Sequence, residues 1–267
     1  MKRFFGVFTF AFNVLGMAKS NTTLLKPILY NLAIATPVSI VLALAYGLIN
    51  SAAVGYLVMA VGVAALYFID YFANGLTASL IAQQVTTGQT SMDEALAATK
   101  KSIPGIMIFA AISALFDLLV SFTDRRSLLG KIVAQIVYMV WTTAVYCVMP
   151  AMVLEGLSFG QAFSRSKDLM KQDPTQVGSG VLGIGIVNWV VNIAFFWIAM
   201  QGAGVLSHIH PIVGGFFFFF VFNLAWAITG FLKITYFTCF YLWAKQCEEQ
   251  GSADVELAPA PLASALR

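Results

Sequence analysis

Six charge-poor apolar runs, at residues 28–49, 54–81, 103–120, 132–154, 177–203 and 212–244, occupy most of the 267-residue chain and leave it few ways to fold. Hydrophobic residues make up 60% of the sequence and charged residues only 10%, against about half and about a quarter in soluble domains. A soluble core has no room for that excess. A helix needs roughly 17–25 residues to cross about 30 Å of hydrocarbon, and every run qualifies, the third with least to spare. Backbone groups in lipid must pair within the membrane, and the runs lack the alternating pattern of barrel strands, so helices are expected. The expected fold is all-α: a polytopic membrane helical bundle of about six transmembrane helices with short amphipathic cytoplasmic helices. A single transmembrane domain covers 1–245. The remainder, 246–267, carries Gly, Ser, Ala and two prolines with little apolar periodicity, and reads as a disordered cytoplasmic tail.

Lysine and arginine set the orientation, because short cytoplasmic loops retain them. Lys2, Arg3, Lys19 and Lys26 precede the first run, Lys100 and Lys101 separate the second from the third, Arg165, Lys167 and Lys171 separate the fourth from the fifth, and Lys245 follows the sixth. Both termini inside places all of these in the cytoplasm. Only Arg125, Arg126 and Lys131 dissent, in a loop that the same topology puts outside. The formal charge of +3 is accounted for by these loops and does not point to nucleic acid.

Met1, Lys2 and Arg3 followed by residues 4–15 have the layout of a secretory signal, with Ala18-Lys19-Ser20 as a passable cleavage site. The competing reading, favoured here, is a retained interfacial helix with Phe5, Phe8, Phe12 and Leu15 on its apolar face, although Val7, Phe10 and Val14 blur the opposite one. Further on, Ser91 with Glu94 and Ser158 with Gln161 each have capping-box spacing and predict the start of a short helix. Aligned on those serines, Ala95 matches Ala162, Thr99 matches Ser166 and Lys100 matches Lys167. This predicts a repeat of an amphipathic helix followed by a membrane hairpin, with residues 1–53 as a looser first copy. Any polar loop entering a membrane helix, however, needs a cap and a basic residue near the headgroups.

Residues 21–27, Tyr67-Phe68 with Phe72-Ala73-Asn74, and Pro150 through Glu155-Gly156-Leu157 with Ala162–Ser166 resemble a bacterial polytopic membrane family of unknown function. That family is itself similar to the membrane domains attached to glycerophosphodiester phosphodiesterases. The resemblance implies a bacterial inner-membrane protein and carries no catalytic residues. Asp70 and Lys233 match nothing in the family pattern.

Those two residues are the ones that membrane burial makes expensive, by roughly 2.5–3.5 kcal/mol each on insertion scales. Each stands eleven residues before the end of its run, residues 81 and 244, which puts both about 16 Å deep. Equal depth permits an ion pair, with Asn74 and Thr229 one turn away on the same faces. The cluster is either a substrate or proton site near the midplane or interhelical glue.

Other motifs carry less. Gly178-Ser179-Gly180-Val181-Leu182-Gly183 has the letters of a dinucleotide fingerprint but no preceding strand. Small residues Gly178, Ser179, Gly183 and Gly185 predict close helix packing instead, and Asn188 with Asn192 predict hydrogen bonds across the bundle. His208 and His210 alone do not make a zinc site, and Cys147, Cys239 and Cys247 have no metal or redox spacing. No catalytic residue, cofactor or metal is expected. The expected function is therefore a non-enzymatic membrane scaffold or assembly partner. Its cytoplasmic basic face, Lys100, Lys101, Arg165, Lys167 and Lys171, would meet anionic lipid headgroups, a membrane or cytoplasmic protein, or a second copy of the chain. The alternative is a transporter or lipid-handling protein with a polar site at Asp70 and Lys233.

Overall fold

A computed structural model describes residues 2–49, 51–122, 145–172, 174–251 and 254–266. Helices make up its elements, with no strand among the described residues. In chain order they are α1 Lys2–Ser20, α2 Lys26–Leu48, α3 Ala52–Thr87, α4 Met92–Lys101, α5 Ile103–Phe122, α6 Val148–Glu155, α7 Phe159–Gln172, α8 Pro174–Ser207, α9 Pro211–Gln250 and α10 Ala260–Leu266. Two 3-10 turns, Thr22–Leu25 and Val255–Leu257, precede α2 and α10.

Four stretches are long and apolar enough to cross a membrane, Thr22–Leu48, Val54–Thr87, Gly183–Ser207 and Pro211–Gln250. Met92–Lys101 and Ile103–Phe116, bent by 66° at their junction, make a fifth only where the bent pair is taken as one span. The bend has local causes. Pro104 supplies no amide hydrogen, and the Ser102 hydroxyl donates to Met152 O in α6 at 3.0 Å. The fourth expected span, 132–154, lies mostly outside the described residues, as do Arg125, Arg126 and Lys131; its described end is the buried helix α6.

α2 and α3 pack as one hairpin and α8 and α9 as another, so α3 and α9 run in the same direction toward the end that carries most of the basic residues. At 36 and 40 residues they extend about 54 and 60 Å, well beyond about 30 Å of hydrocarbon. Toward the turns they present Leu57, Val61, Ile212 and Phe216 on the exterior, whereas Leu76, Leu80, Ile81, Phe237 and Tyr241 are buried. Burial grows toward the basic end because α1, α4, α6, α7 and α10 surround the long helices there.

Both paired loop signals start helices, α4 and α7, each with part of the expected capping box. Ser91 accepts from the Glu94 amide at 3.3 Å, but the returning bond comes from Gln83, whose oxygen accepts from the Ser91 amide at 2.7 Å. At the second site Gln161 reaches back to the Ser158 amide at 3.1 Å. Ala95, Ala162, Thr99 and Ser166, the aligned positions, are all fully buried. Each unit enters its loop through a left-handed glycine, Gly88 and Gly156 at φ 74° and 68°, where a side chain would strain the backbone.

In two places the structure goes beyond the expectations: α1 buries a second face against the protein, and the tail is ordered. In α1 the buried stripe is Val7, Phe10, Val14 and Ala18, spaced three and four apart, while Phe12 is 73% exposed. Val7 fits against Gly183 of α8, and Phe10 meets Tyr236 of α9 edge-on at 5.2 Å. The outward Phe12 and Leu15 thus form the face left for lipid. The tail expected to be disordered folds back on α1: Leu262 is fully buried, and Trp243 Nε1 donates to Asp254 O at 2.7 Å. Burial of Leu262 and Ala258 against α1 supplies the order that the tail's own periodicity does not predict.

Candidate functional site

Asp70 lies midway along α3 and is 8% exposed. Its two carboxylate oxygens are held separately: Oδ1 accepts from Asn31 Nδ2 of α2 and Oδ2 from Asn74 Nδ2, each at 3.0 Å. Lys233 of α9 faces the same cavity, about 300 Å³ in volume. The two charges act on one another across it, but no ion pair within 4.0 Å joins them. The ammonium instead sits over the Tyr146 ring, 5.3 Å from its centroid. The expected cluster is therefore assembled without the expected contact. Thr229 lines the cavity, but its hydroxyl donates to its own helix, to Ala225 O at 2.9 Å.

The remaining walls come from residues that sequence reasoning assigned elsewhere. Asn188 and Asn192 of α8 face the cavity. Asn192 Nδ2 donates to Asn188 O at 2.8 Å, and the Asn188 carboxamide oxygen is buried with no protein donor among the described residues. Tyr71 stacks on Phe109 of α5 at 4.3 Å and donates to Ser113 Oγ at 2.8 Å. Gly230 lets α9 approach: a Cβ there would lie 3.3 Å from Asn74 Oδ1 and 3.5 Å from Asp70 Oδ1.

Asp70 also borders a second cavity of about 220 Å³, with Tyr67 and Trp226 common to both. Asn31, Ser39 and Asn223 give that cavity its polarity, the last two hydrogen-bonded at 3.3 Å. Intramembrane amides and an acid in such number line a solvated or ligand-holding space at far lower cost than a dry interior.

The basic end carries a second charged assembly. Arg165 of α7 donates through Nη1 and Nη2 to the two carboxylate oxygens of Glu248, at 2.9 and 2.5 Å, and Lys245 pairs with Glu155 at 3.2 Å. Tyr241 lies beside Glu155 and Arg165 without a well-aligned hydrogen bond. Partial burial pushes the Glu155 carboxyl up, but Tyr241, Lys245 and Arg165 outweigh it and hold the group below the usual glutamate range. The bonds to Glu248 raise Arg165 above its ordinary value. Of the expected basic face, Lys100, Lys101 and Lys167 are exposed, whereas Arg165 is engaged internally. The Lys171 side chain lies outside the described residues. His210 acts as a helix cap, its Nδ1 accepting from the Ile212 amide at 3.2 Å. Among the described residues no three potential metal ligands cluster.

Fold and site together define an all-helical protein of membrane-spanning composition with a polar cavity among its long helices. The chain belongs to a family of unknown function, DUF6159, whose sequence pattern matches residues 53–252. The matched stretch contains Asp70, Asn74 and Lys233 and begins after Asn31. No curated protein and no solved structure matches the chain.

Proposed function

We propose that this protein is a non-enzymatic, polytopic membrane protein that receives a small polar solute or lipid headgroup in the Asp70–Lys233 cavity and moves it across or within the bilayer. The observation that carries this reading is the cavity itself: about 300 Å³, bordered by an acid and an amine that share it without touching. The lysine and arginine distribution supports six spans with both termini cytoplasmic, and the motif residues at 21–27 and 150–166 support a place in the bacterial inner membrane. The same motifs support kinship with the membrane domains attached to glycerophosphodiester phosphodiesterases, which accords with a lipid-handling role.

A scaffold or assembly role is the second reading, favoured by the exposed Lys100, Lys101 and Lys167, which suit anionic lipid, a protein partner or a second copy.

Reconstitution of wild type, Asp70→Asn, Lys233→Met and the double variant in liposomes tests the choice. If all fold and only wild type supports solute uptake or lipid flipping, the cavity is the working site. If each single change destabilises and the double variant recovers, the pair is interhelical glue and the scaffold reading replaces this one.

A further inference from the structure

Resting on the cavity reading above, we infer that the ligand is a zwitterion, one molecule carrying an ammonium and an anionic group, with its ammonium at Asp70 and its anion at Lys233. Two buried opposite charges in a medium of low dielectric attract strongly. Here their neighbours hold them apart. Asp70 is tied to Asn31 and Asn74 on its side of the cavity, and Lys233 rests against Tyr146. Each charge thus lacks a contacting counter-charge, and a ligand bearing both signs supplies the two at once. Such a ligand meets a counter-charge at each of its ends, which offsets the desolvation that both of its charges cost.

The walls fit that orientation. Tyr67, Tyr71 and Trp226 join Asp70 in lining the cavity, and electron-rich ring faces beside a carboxylate are the surroundings that attract an alkylammonium. Size sets a limit as well. At about 30 Å³ per water the cavity holds roughly ten waters. That is enough for a headgroup or a small amino acid, and too little for an acyl chain as well. A phosphoethanolamine-type lipid headgroup and a free amino acid share this chemistry.

The test uses the full chain in nanodiscs of phosphatidylglycerol, which supply no zwitterionic lipid, with binding followed by calorimetry. The probes are glycerophosphoethanolamine, glycine, ethanolamine as the cationic half and inorganic phosphate as the anionic half. We expect at least one zwitterion to bind about tenfold or more tightly than either half, and Asp70→Asn or Lys233→Met to erase that preference. Transfer to phosphatidylethanolamine nanodiscs then separates the sources: weakened probe binding by competition assigns the site to a lipid headgroup, and unchanged binding assigns it to a free solute. Because the comparison of zwitterion with its halves is made on wild type, it stands even if a variant does not fold. Equal binding of a single-charge half, or no binding of either zwitterion at millimolar concentration, overturns the inference. A filled cavity, Gly230→Leu, tells this failure from the failure of the function itself. If a single-charge probe binds and Gly230→Leu abolishes it, only the ligand class is wrong. If Gly230→Leu folds and changes nothing, the cavity is not the site.

Discussion

Replacing Gly230 by alanine separates the site from the scaffold that holds it. The new Cβ would stand 3.3 Å from Asn74 Oδ1 and 3.5 Å from Asp70 Oδ1, so Asn74 must retreat by a few tenths of an ångström. Its 3.0 Å bond to Asp70 Oδ2 lengthens accordingly. A hydrogen bond to a charged group is worth about 1.5–3 kcal/mol, and weakening it by about half removes ~1 kcal/mol of Asp70 positioning. Alanine recovers about 1 kcal/mol of helix propensity over glycine. The two effects nearly cancel in stability, and Tm should move by less than about 4 °C. Ligand affinity has no such compensation and should fall about fivefold. Gly75→Ala is the control: its Cβ would lie 2.8 Å from Thr99 Cγ2, a side chain that does not line the cavity, so it should lose about 1–3 kcal/mol by overpacking and leave affinity unchanged. Thermal unfolding and calorimetry on the same samples read both quantities. Unchanged affinity in a folded Gly230→Ala protein would refute the argument that α9 presses on the Asp70–Asn74 pair.

The Glu155–Lys245 contact should weaken in acid. The folded carboxyl sits below its unfolded range near 4.3, so its stabilisation is present above that pH and is lost as pH falls through the lowered folded value; hydrogen exchange at the α6–α9 contact should rise there, and Glu155→Gln should remove that rise. Leu262→Ala should cost about 2–5 kcal/mol because that side chain is fully buried against α1, measured as a lower Tm; an unchanged Tm would mean the tail adds nothing. Cys147 and Cys239 are buried and Cys247 is half-buried, so an impermeant maleimide should label Cys247 alone. Burial raises that thiol, so labelling should accelerate with rising pH. Labelling from the outer side of intact cells would reverse the proposed orientation.

Asp70 and Lys233 were legible in the sequence because an ionisable group in an apolar run stands out, and equal depth follows from helices being rods of fixed rise. Asn31, Asn188 and Ser113 were not, because a lone amide or hydroxyl in a membrane helix reads equally well as glue. Only packing across α2, α5 and α8 brings them to the two cavities that share Asp70. The buried face of α1 has a different cause: its residues are apolar nearly all round, so spacing picked out the outward Phe12 and Leu15, and only contact with Gly183 and Tyr236 shows that Val7 and Phe10 pack inward. The tail failed for want of periodicity, since a short helix stabilised by one buried leucine leaves almost no pattern.

Helix α9 carries Lys233 within the cavity and Glu248 in the bidentate pair with Arg165, on one continuous helix. The fifteen-residue separation makes a stiff arm of about 22 Å. A tilt of about 10° at the ionic end would sweep the lysine through roughly 4 Å, a displacement worked from that rise per residue. Whatever grips or loosens the arginine clasp at the membrane surface therefore has a mechanical handle on a charge buried far from it.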